Sequence, residues 1–313
     1  MSVKHKEYFF PSSTGVCQIY ARSWCPDNPK AVVQIHHGMA EHIERYDEFA
    51  QYLAQRGFVV YAHDMANHGK SNQNPDERGY FGEKDAWKNL IKDMKNLYDI
   101  AKKEHPDLPY FVFGHSMGSF ITRCFIAKYK DAVDGAIICG TGGKQGAAPA
   151  GLALTNIIGA FKGKKSKSAF VQNMAFGTYN KPFGNRTEFE WLTRDEKIVD
   201  KYVADEMCGF LFSVQGFNDL LKLIVSANAD SWYDSVPKDL PICLISGDKD
   251  PVGNFGKGVE EVYKKLKETD HNVYMKLYGN DRHEILNERN KEDVYIDVVN
   301  FIENVMDGKV VKE

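Results

Sequence analysis

The chain alternates short runs of apolar, β-branched and aromatic residues with longer stretches whose apolar positions recur every three or four residues. Val16 to Arg22, Ala31 to His36 (AVVQIH), Phe58 to His63 (FVVYAH), Tyr110 to Phe113 (YFVF), Val133 to Cys139, Ile242 to Ser246 (ICLIS) and Val273 to Tyr278 read as strands. Several of these runs are almost continuously apolar, the pattern of parallel strands covered on both faces. Between them, Tyr46, Phe49, Ala50 and Leu53 fall at helical spacing. Trp87, Leu90, Ile91, Met94, Leu97, Tyr98 and Ala101 form a longer stripe that stops before Pro106. Ser119 to Tyr129, Gly253 to Leu266 and Asp293 to Met306 are further helices. The alternation predicts an α/β fold, with a mostly parallel central sheet and helices on both faces. Such a sheet binds ligands at the carboxyl ends of its strands.

Residues 141–235 interrupt this alternation. A Gly- and Ala-rich segment is followed by the apolar stretch Gly151 to Phe161, the basic run Lys162 to Ser168 (KGKKSKS) and aromatic-rich helical material. The expected organisation is therefore a core of 1–140 and 236–313, with 141–235 inserted as a cap over the carboxyl edge of the sheet.

Composition narrows the class. The 313 residues are 43% hydrophobic and 27% charged with net charge −3, so neither disorder nor a coiled coil describes the chain. The near-neutral balance gives no electrostatic reason to expect nucleic acid as a partner. Met1 to Glu7 is polar, no signal-peptide core follows it, and no apolar run is long enough to span a bilayer. The cysteines Cys17, Cys25, Cys124, Cys139, Cys208 and Cys243 are scattered without paired short spacing. That argues against a zinc site, and for packed thiols and a cytoplasmic location. No Gly-rich phosphate loop or His-x-x-x-His pair is present, so no metal or cofactor is expected.

One pentapeptide carries chemistry. Gly114-His115-Ser116-Met117-Gly118 lies between the strand YFVF and the helix from Ser119. A serine on so tight a strand-to-helix turn needs small residues two positions to either side, because a Cβ there collides with neighbouring backbone. The turn lifts the Ser116 hydroxyl to the sheet edge and aims the Met117 N–H at the same point. A serine alcohol is a poor nucleophile at neutral pH, so it needs an imidazole to take its proton and a carboxylate to orient that imidazole.

The chain order Ser, Asp, His points to two later loops, both following strands. Gly247-Asp248-Lys249-Asp250 offers the acid; either aspartate fits, with Asp250 favoured and Asp248 left as a turn residue. Gly279-Asn280-Asp281-Arg282-His283-Glu284 offers His283 as the base. His5 and His105 are remote, His271 precedes its strand, and the His115 side chain should point off the turn. After AVVQI, the loop His36 to His42 can supply a second oxyanion donor from the Met39 N–H beside that of Met117. His36 and His37 read as hydrogen-bonding within that loop. Glu41 and Arg45 form either a solvated pair or a contact for a polar substrate end.

Together, His37-Gly38-Met39-Ala40-Glu41-His42 with Arg45-Tyr46, Tyr61-Ala62-His63-Asp64 with His68-Gly69-Lys70-Ser71, and Gly114 to Gly118 resemble the monoacylglycerol lipases and related bacterial lysophospholipases of the α/β-hydrolase superfamily. The resemblance covers the scaffold at both ends of the chain and is weak across 141–235. It implies an α/β-hydrolase fold, Ser116 as nucleophile, Asp250 as acid, His283 as base, and Met39 and Met117 as backbone oxyanion donors. It implies a place near the glycerol end of the substrate for Glu41 and Arg45. The chain departs from it at Met39, where the lipases carry a smaller residue. The segment Tyr61 to Ser71 reads as scaffold.

The expected reaction is hydrolysis of an acyl ester, of monoacylglycerol or lysophospholipid type, through an acyl-enzyme on Ser116. Phe161, Phe170, Phe176, Tyr179, Phe183, Trp191, Phe210, Phe212, Phe217 and Trp232, with Leu220, Leu221, Leu223 and Ile224, collectively suggest an apolar tunnel for the acyl chain. Leu152, Leu154, Ile157, Ile158 and Phe161, followed by the lysines, offer a transient contact with a membrane surface. The competing reading of that segment is an ordinary packed helix with a solvated basic loop. Two rival functions remain: an iminopeptidase-like amide hydrolase, with Glu188, Glu190 or Asp205 receiving a substrate ammonium, and a ligand-binding member without turnover.

Overall fold

The computed structural model describes residues 2–309. Its strands are β1 (Val3–Pro11), β2 (Gln18–Pro26), β3 (Ala31–His36), β4 (Phe58–His63), β5 (Tyr110–His115), β6 (Gly135–Cys139), β7 (Ile242–Gly247) and β8 (Val273–Tyr278). They form one sheet in the order β1-β2-β4-β3-β5-β6-β7-β8. β1 and β2 run antiparallel to their neighbours, and every pairing from β4 onward is parallel. The helices are α1 (Asp47–Ala54), α2 (Trp87–Glu104), α3 (Met117–Lys128), α4 (Ala148–Lys162), α5 (Ala169–Phe176), α6 (Glu196–Ala204), α7 (Val214–Ala227), α8 (Asp230–Ser235), α9 (Lys257–Glu268) and α10 (Lys291–Met306).

β3 to β7 are buried along their whole length, which explains their unbroken apolar sequences. Two apolar layers cover them. Phe49, Ala50 and Leu53 of α1 and Val294, Tyr295, Val298 and Ile302 of α10 fill one face. Leu90, Met94 and Leu97 of α2, Ile121 and Phe125 of α3, and Val259, Val262 and Leu266 of α9 fill the other. Each large side chain so buried contributes about 1.5–3 kcal/mol.

Several boundaries differ from the sequence expectation. β1 was not anticipated, because only three of its nine residues are even partly buried and its polar sequence shows no inward apolar face. The strand expected at Val16 to Arg22 is β2, which starts at Gln18 and continues to Pro26. α9 starts at Lys257 rather than Gly253, because Asn254, Phe255 and Gly256 all have positive φ and cannot continue a helix.

The order reverses at β3, which has β4 on one side and β5 on the other. The loops leaving β3 and β5 therefore emerge side by side at the carboxyl edge, where α/β sheets bind ligands. Five helices, α4 to α8, lie between β6 and β7. α7 is not a detached cap element: Phe217, Leu220 and Leu223 join the core shared with α2 and α3.

Candidate active site

Ser116 links the last residue of β5 to the first of α3 and adopts φ 53°, ψ −119°. This left-handed backbone is unfavourable for a residue with a Cβ, and it is held by its surroundings. The Ser116 N–H donates to the Cys139 carbonyl at 3.0 Å. A Cβ on Gly114 would strike Thr122 and the Gly118 carbonyl. One on Gly118 would strike the carbonyls of His36 and His37. The two glycines thus allow β5, α3 and the β3 loop to meet around the serine.

Asp250 and His283 lie on the loops after β7 and β8. Both are buried, and His283 Nδ1 is 2.9 Å from Asp250 Oδ2. A carboxylate only accepts, so the proton of that bond sits on Nδ1, which in a neutral ring leaves the lone pair on Nε2. Asp250 also accepts from Ser246 Oγ at 3.2 Å and from the Val252 N–H at 2.8 Å. Asp248, the alternative acid, instead accepts from the Asn280 N–H at 2.7 Å and sits near the Lys249 ammonium at a partly exposed turn.

The residues that flank and hold the Ser116 turn also pack against His283. The His115 and His283 rings are 4.7 Å apart between centroids. A Cβ on Gly140, next to the Cys139 carbonyl that binds Ser116, would lie 3.2 Å from His283 Cε1. His115, expected to point its side chain off the turn, is buried, with Nδ1 3.3 Å from Glu41 Oε1 and Nε2 3.2 Å from the His283 carbonyl. Acceptors face both nitrogens, which suits an imidazolium. Burial lowers the His115 pKa, but Glu41 more than offsets this and leaves it above its ordinary value.

In the β3 loop, the Gly38 N–H donates to Glu41 Oε1 at 2.6 Å, and the Ala40 N–H donates to His68 Nε2 at 3.3 Å. With both flanking amides anchored, the direction of the Met39 N–H is fixed. His37 accepts from the Met65 N–H at 2.9 Å and bonds the Gly38 carbonyl at 2.8 Å. Burial holds its pKa at about 4, so it stays neutral. His36 departs from the expected role: its Nε2 is buried without a partner, and its ring meets His63 edge-on at 5.2 Å.

The solvated-pair reading of Glu41 and Arg45 does not hold, because Glu41 is only 3% exposed. Arg45 donates to Glu41 Oε2 at 2.6 Å and to both oxygens of Glu284 at 2.7 and 2.6 Å. Tyr46 donates to Glu41 Oε1 at 2.8 Å. Burial alone would raise the Glu41 carboxyl, yet Arg45 and His115 hold it well below the usual range. These groups satisfy one another beneath the loop.

Of two neighbours of His283, Glu284 was not singled out from the sequence, and Trp191 was named only as one aromatic residue of the expected tunnel. Glu284 grips Arg45, and the Trp191 carbonyl accepts the His283 N–H at 3.3 Å while its ring lies 5.1 Å from the imidazole. The acid directly following His283 was a visible signal for Glu284. Nothing local marked the place of Trp191 beside His283, since only the path of the chain between β6 and β7 brings it there.

The expected tunnel residues divide. Phe212, Phe217, Leu220, Leu223 and Trp232 belong to the main core. Phe161 and Phe170 are exposed. Trp191, with Tyr179 at 5.3 Å, stands by the imidazole.

A family model described as serine aminopeptidase, S33 (Hydrolase_4) matches residues 27–290. The monoacylglycerol lipase of Mycolicibacterium smegmatis is 27% identical over 311 residues, spanning 96% of this chain and 98% of its own. A thermostable carboxyl esterase from Bacillus coagulans, solved in complex with glycerol, superposes with TM-score 0.91 at 31% identity, covering 97% of this chain and 99% of the esterase. A lipase in its open form gives TM-score 0.88 at 30% identity, covering 96% and 99% of the two chains. With its eight-stranded sheet, its serine on a left-handed turn and these full-length likenesses, the chain belongs to the Hydrolase_4 family of α/β-hydrolases and is like the monoacylglycerol lipases.

Proposed function

We propose that this protein hydrolyses carboxylic esters of acyl chains, of the monoacylglycerol or lysophospholipid type, through an acyl-enzyme on Ser116. The observation that carries the reading is the buried 2.9 Å bond between His283 and Asp250 beside a serine held at φ 53°. His283 Nε2 takes the Ser116 proton as Oγ attacks the ester carbonyl. The Met39 and Met117 amides receive the oxyanion, and His283 then gives its proton to the leaving alcohol. A water deprotonated by the same nitrogen attacks the acyl-enzyme, and collapse returns the acid and free Ser116. Asp250 keeps the ring in the required tautomer and stabilises its cation. Glu41 and Arg45 enter this reading as the group that fixes the oxyanion loop nearest the leaving alcohol.

An ester is favoured over an aminoacyl substrate by the placement of the cap acids. Glu188 is exposed. Glu190 accepts from Thr187 at 2.9 Å and pairs with Arg186 at 3.1 Å. Asp205 is bonded to His42 at 2.8 Å. These three carboxylates are therefore exposed or already paired, not aimed at a substrate ammonium.

We divide the chain functionally as a core of 1–140 and 236–313 with 141–235 as the substrate-selecting cap. On that cap Ile157, Phe161, Phe170 and Met174 are exposed, Phe161 by 87%, and we assign them a transient contact with lipid surfaces. The neighbouring Lys164, Lys165 and Lys167 are bonded to Glu83, Glu77 and the Arg78 and Leu211 carbonyls, so apolar insertion dominates that contact. The six free thiols, four of them buried, suit a cytoplasmic location.

The test is labelling with a fluorophosphonate probe, followed by comparison of monoacylglycerol and aminoacyl-naphthylamide turnover. Modification of Ser116 and preference for the ester are expected. Preference for the amide would reverse the substrate assignment, and an unlabelled serine would end the catalytic one. Co-sedimentation with vesicles, lost on Phe161→Ser with Phe170→Ser, checks the surface contact.

A further inference from the structure

Away from the serine, three donor side chains of different chemistry converge. His42 belongs to the β3 loop; Asp205 and Cys208 belong to the turn that follows α6. His42 Nε2 is 2.8 Å from Asp205 Oδ2. A nitrogen, an oxygen and a sulfur of the three residues all lie within 4.8 Å of one another. Among the described residues this is the one such group of histidine, cysteine and acidic side chains.

The surroundings hold these donors in place. Asp205 Oδ1 accepts from the Met207 N–H at 2.8 Å, and the Asp205 carbonyl accepts the Cys208 N–H at 2.9 Å. The Ala40 carbonyl accepts from the Gly209 N–H at 2.9 Å and the Tyr202 hydroxyl at 3.0 Å, joining the turn to the β3 loop. His42 and Cys208 are buried, whereas the Asp205 side chain is 31% exposed and opens the group to solvent. The fixed charges nearby are Arg45 with its partners Glu41 and Glu284, and His115, which faces Glu41, while Asp205 is paired with His42.

We propose that His42, Asp205 and Cys208 bind one divalent transition-metal ion of zinc-like chemistry, clamping the turn after α6 to the loop that carries Met39. An imidazole, a carboxylate and a thiolate form a borderline-soft set that favours zinc-type ions over magnesium or calcium. Tetrahedral coordination with ordinary zinc bond lengths puts such donors about 3.3–3.7 Å apart. The His42–Asp205 pair opens slightly from 2.8 Å, and the remaining pairs draw in from at most 4.8 Å. On binding, the Cys208 thiol releases its proton to solvent and its sulfur bonds the metal, with water in the fourth position. Rules of sequence spacing miss this set because its histidine lies more than 160 residues from the other two donors. The proposal stands independently of the ester hydrolase reading.

Chelator-treated protein titrated with Zn²⁺ by calorimetry, and with Co²⁺ by absorption, tests it. One ion per chain is expected, with a thiolate-to-cobalt charge-transfer band. Cys208→Ser should remove that band, and Cys208→Ser, His42→Gln and Asp205→Asn should each weaken zinc binding about tenfold or more. Zn²⁺ should raise the melting midpoint of the wild type and not of Cys208→Ser, with circular dichroism confirming that each variant is folded. Absence of stoichiometric binding to the wild type overturns the proposal. So does a cobalt band or zinc affinity unchanged in folded Cys208→Ser and His42→Gln, which would place the ion on other side chains.

Discussion

His115 Nε2 lies 3.2 Å from the backbone carbonyl of His283, so the residue beside the nucleophile turn holds the loop of the proposed base. Its other nitrogen faces Glu41, whose carboxylate also accepts from Gly38 in the oxyanion loop. One imidazole thus ties together three separate segments of chain. Replacing it with His115→Gln is expected to lower kcat about 10- to 100-fold with little change in KM, as for a small misplacement of reacting groups. Rates are to be normalised to active sites titrated with fluorophosphonate. A role confined to folding would reduce the titrated fraction and leave the normalised kcat intact.

The two aspartates after β7 should separate sharply. Asp250→Asn removes the acceptor that fixes the His283 tautomer and should reduce kcat by about 10⁴. Asp248→Asn alters a partly exposed turn and should leave ester turnover near wild type. Steady-state kinetics on one soluble ester checks both, and the reverse ranking would move the acid to Asp248.

The nucleophile turn should not tolerate added carbon. Gly118→Ala drives a methyl into two backbone carbonyls that cannot move aside as a side chain can. A loss of at least about 3 kcal/mol in urea unfolding, or failure to fold, is expected. Gly146→Ala, where nothing lies within 4 Å, serves as the control and should be neutral.

Acid should destabilise the fold. Burial, chiefly, holds His37 at about 4 and His63 at about 3, and keeps His36 and His68 well below their ordinary range. Below pH ~6.5 the unfolded chain binds protons at these four positions that the native state refuses, so stability falls as pH drops. Asp64 and Asp219, each raised by burial to about 6, act in the opposite sense together with the raised His115, Asp93 and Asp281, while the lowered His5, His105, Glu41, Glu104 and Asp205 add to the decline. Stability measured by urea unfolding at pH 7, 6 and 5 should decline. His63→Gln should flatten that decline by up to about 1.4 kcal/mol per pH unit. An unchanged slope would show that His63 is protonated in the native state.

How far the sequence discloses the molecule depends on where each signal is stored. β3 to β7 were legible because burial on both faces demands apolar residues throughout. β1 was not, because an edge strand with one open face can be built from Lys4, His5, Lys6 and Glu7, held by backbone bonds to β2. The helix start at Lys257 was hidden because three consecutive left-handed residues are a property of the loop, not of hydrophobic spacing. Ser116, Asp250 and His283 could be nominated since each follows a readable strand. Choosing between Asp248 and Asp250 required seeing which carboxylate is buried against the imidazole. The partners of Arg45 and the place of Trp191 arise from contacts between segments far apart in the chain, where no local pattern exists.

The close approach of Gly118 to the carbonyls of His36 and His37 also bears on how this molecule can change. The start of α3 and the β3 loop are wedged together, so the two proposed oxyanion amides form one rigid part that neither loop can retune alone. On the proposed division of the chain, diversification toward other acyl groups is left to those helices after β6 that lie outside the main core, whereas α7, whose Phe217, Leu220 and Leu223 are part of that core, is held with the machinery beneath.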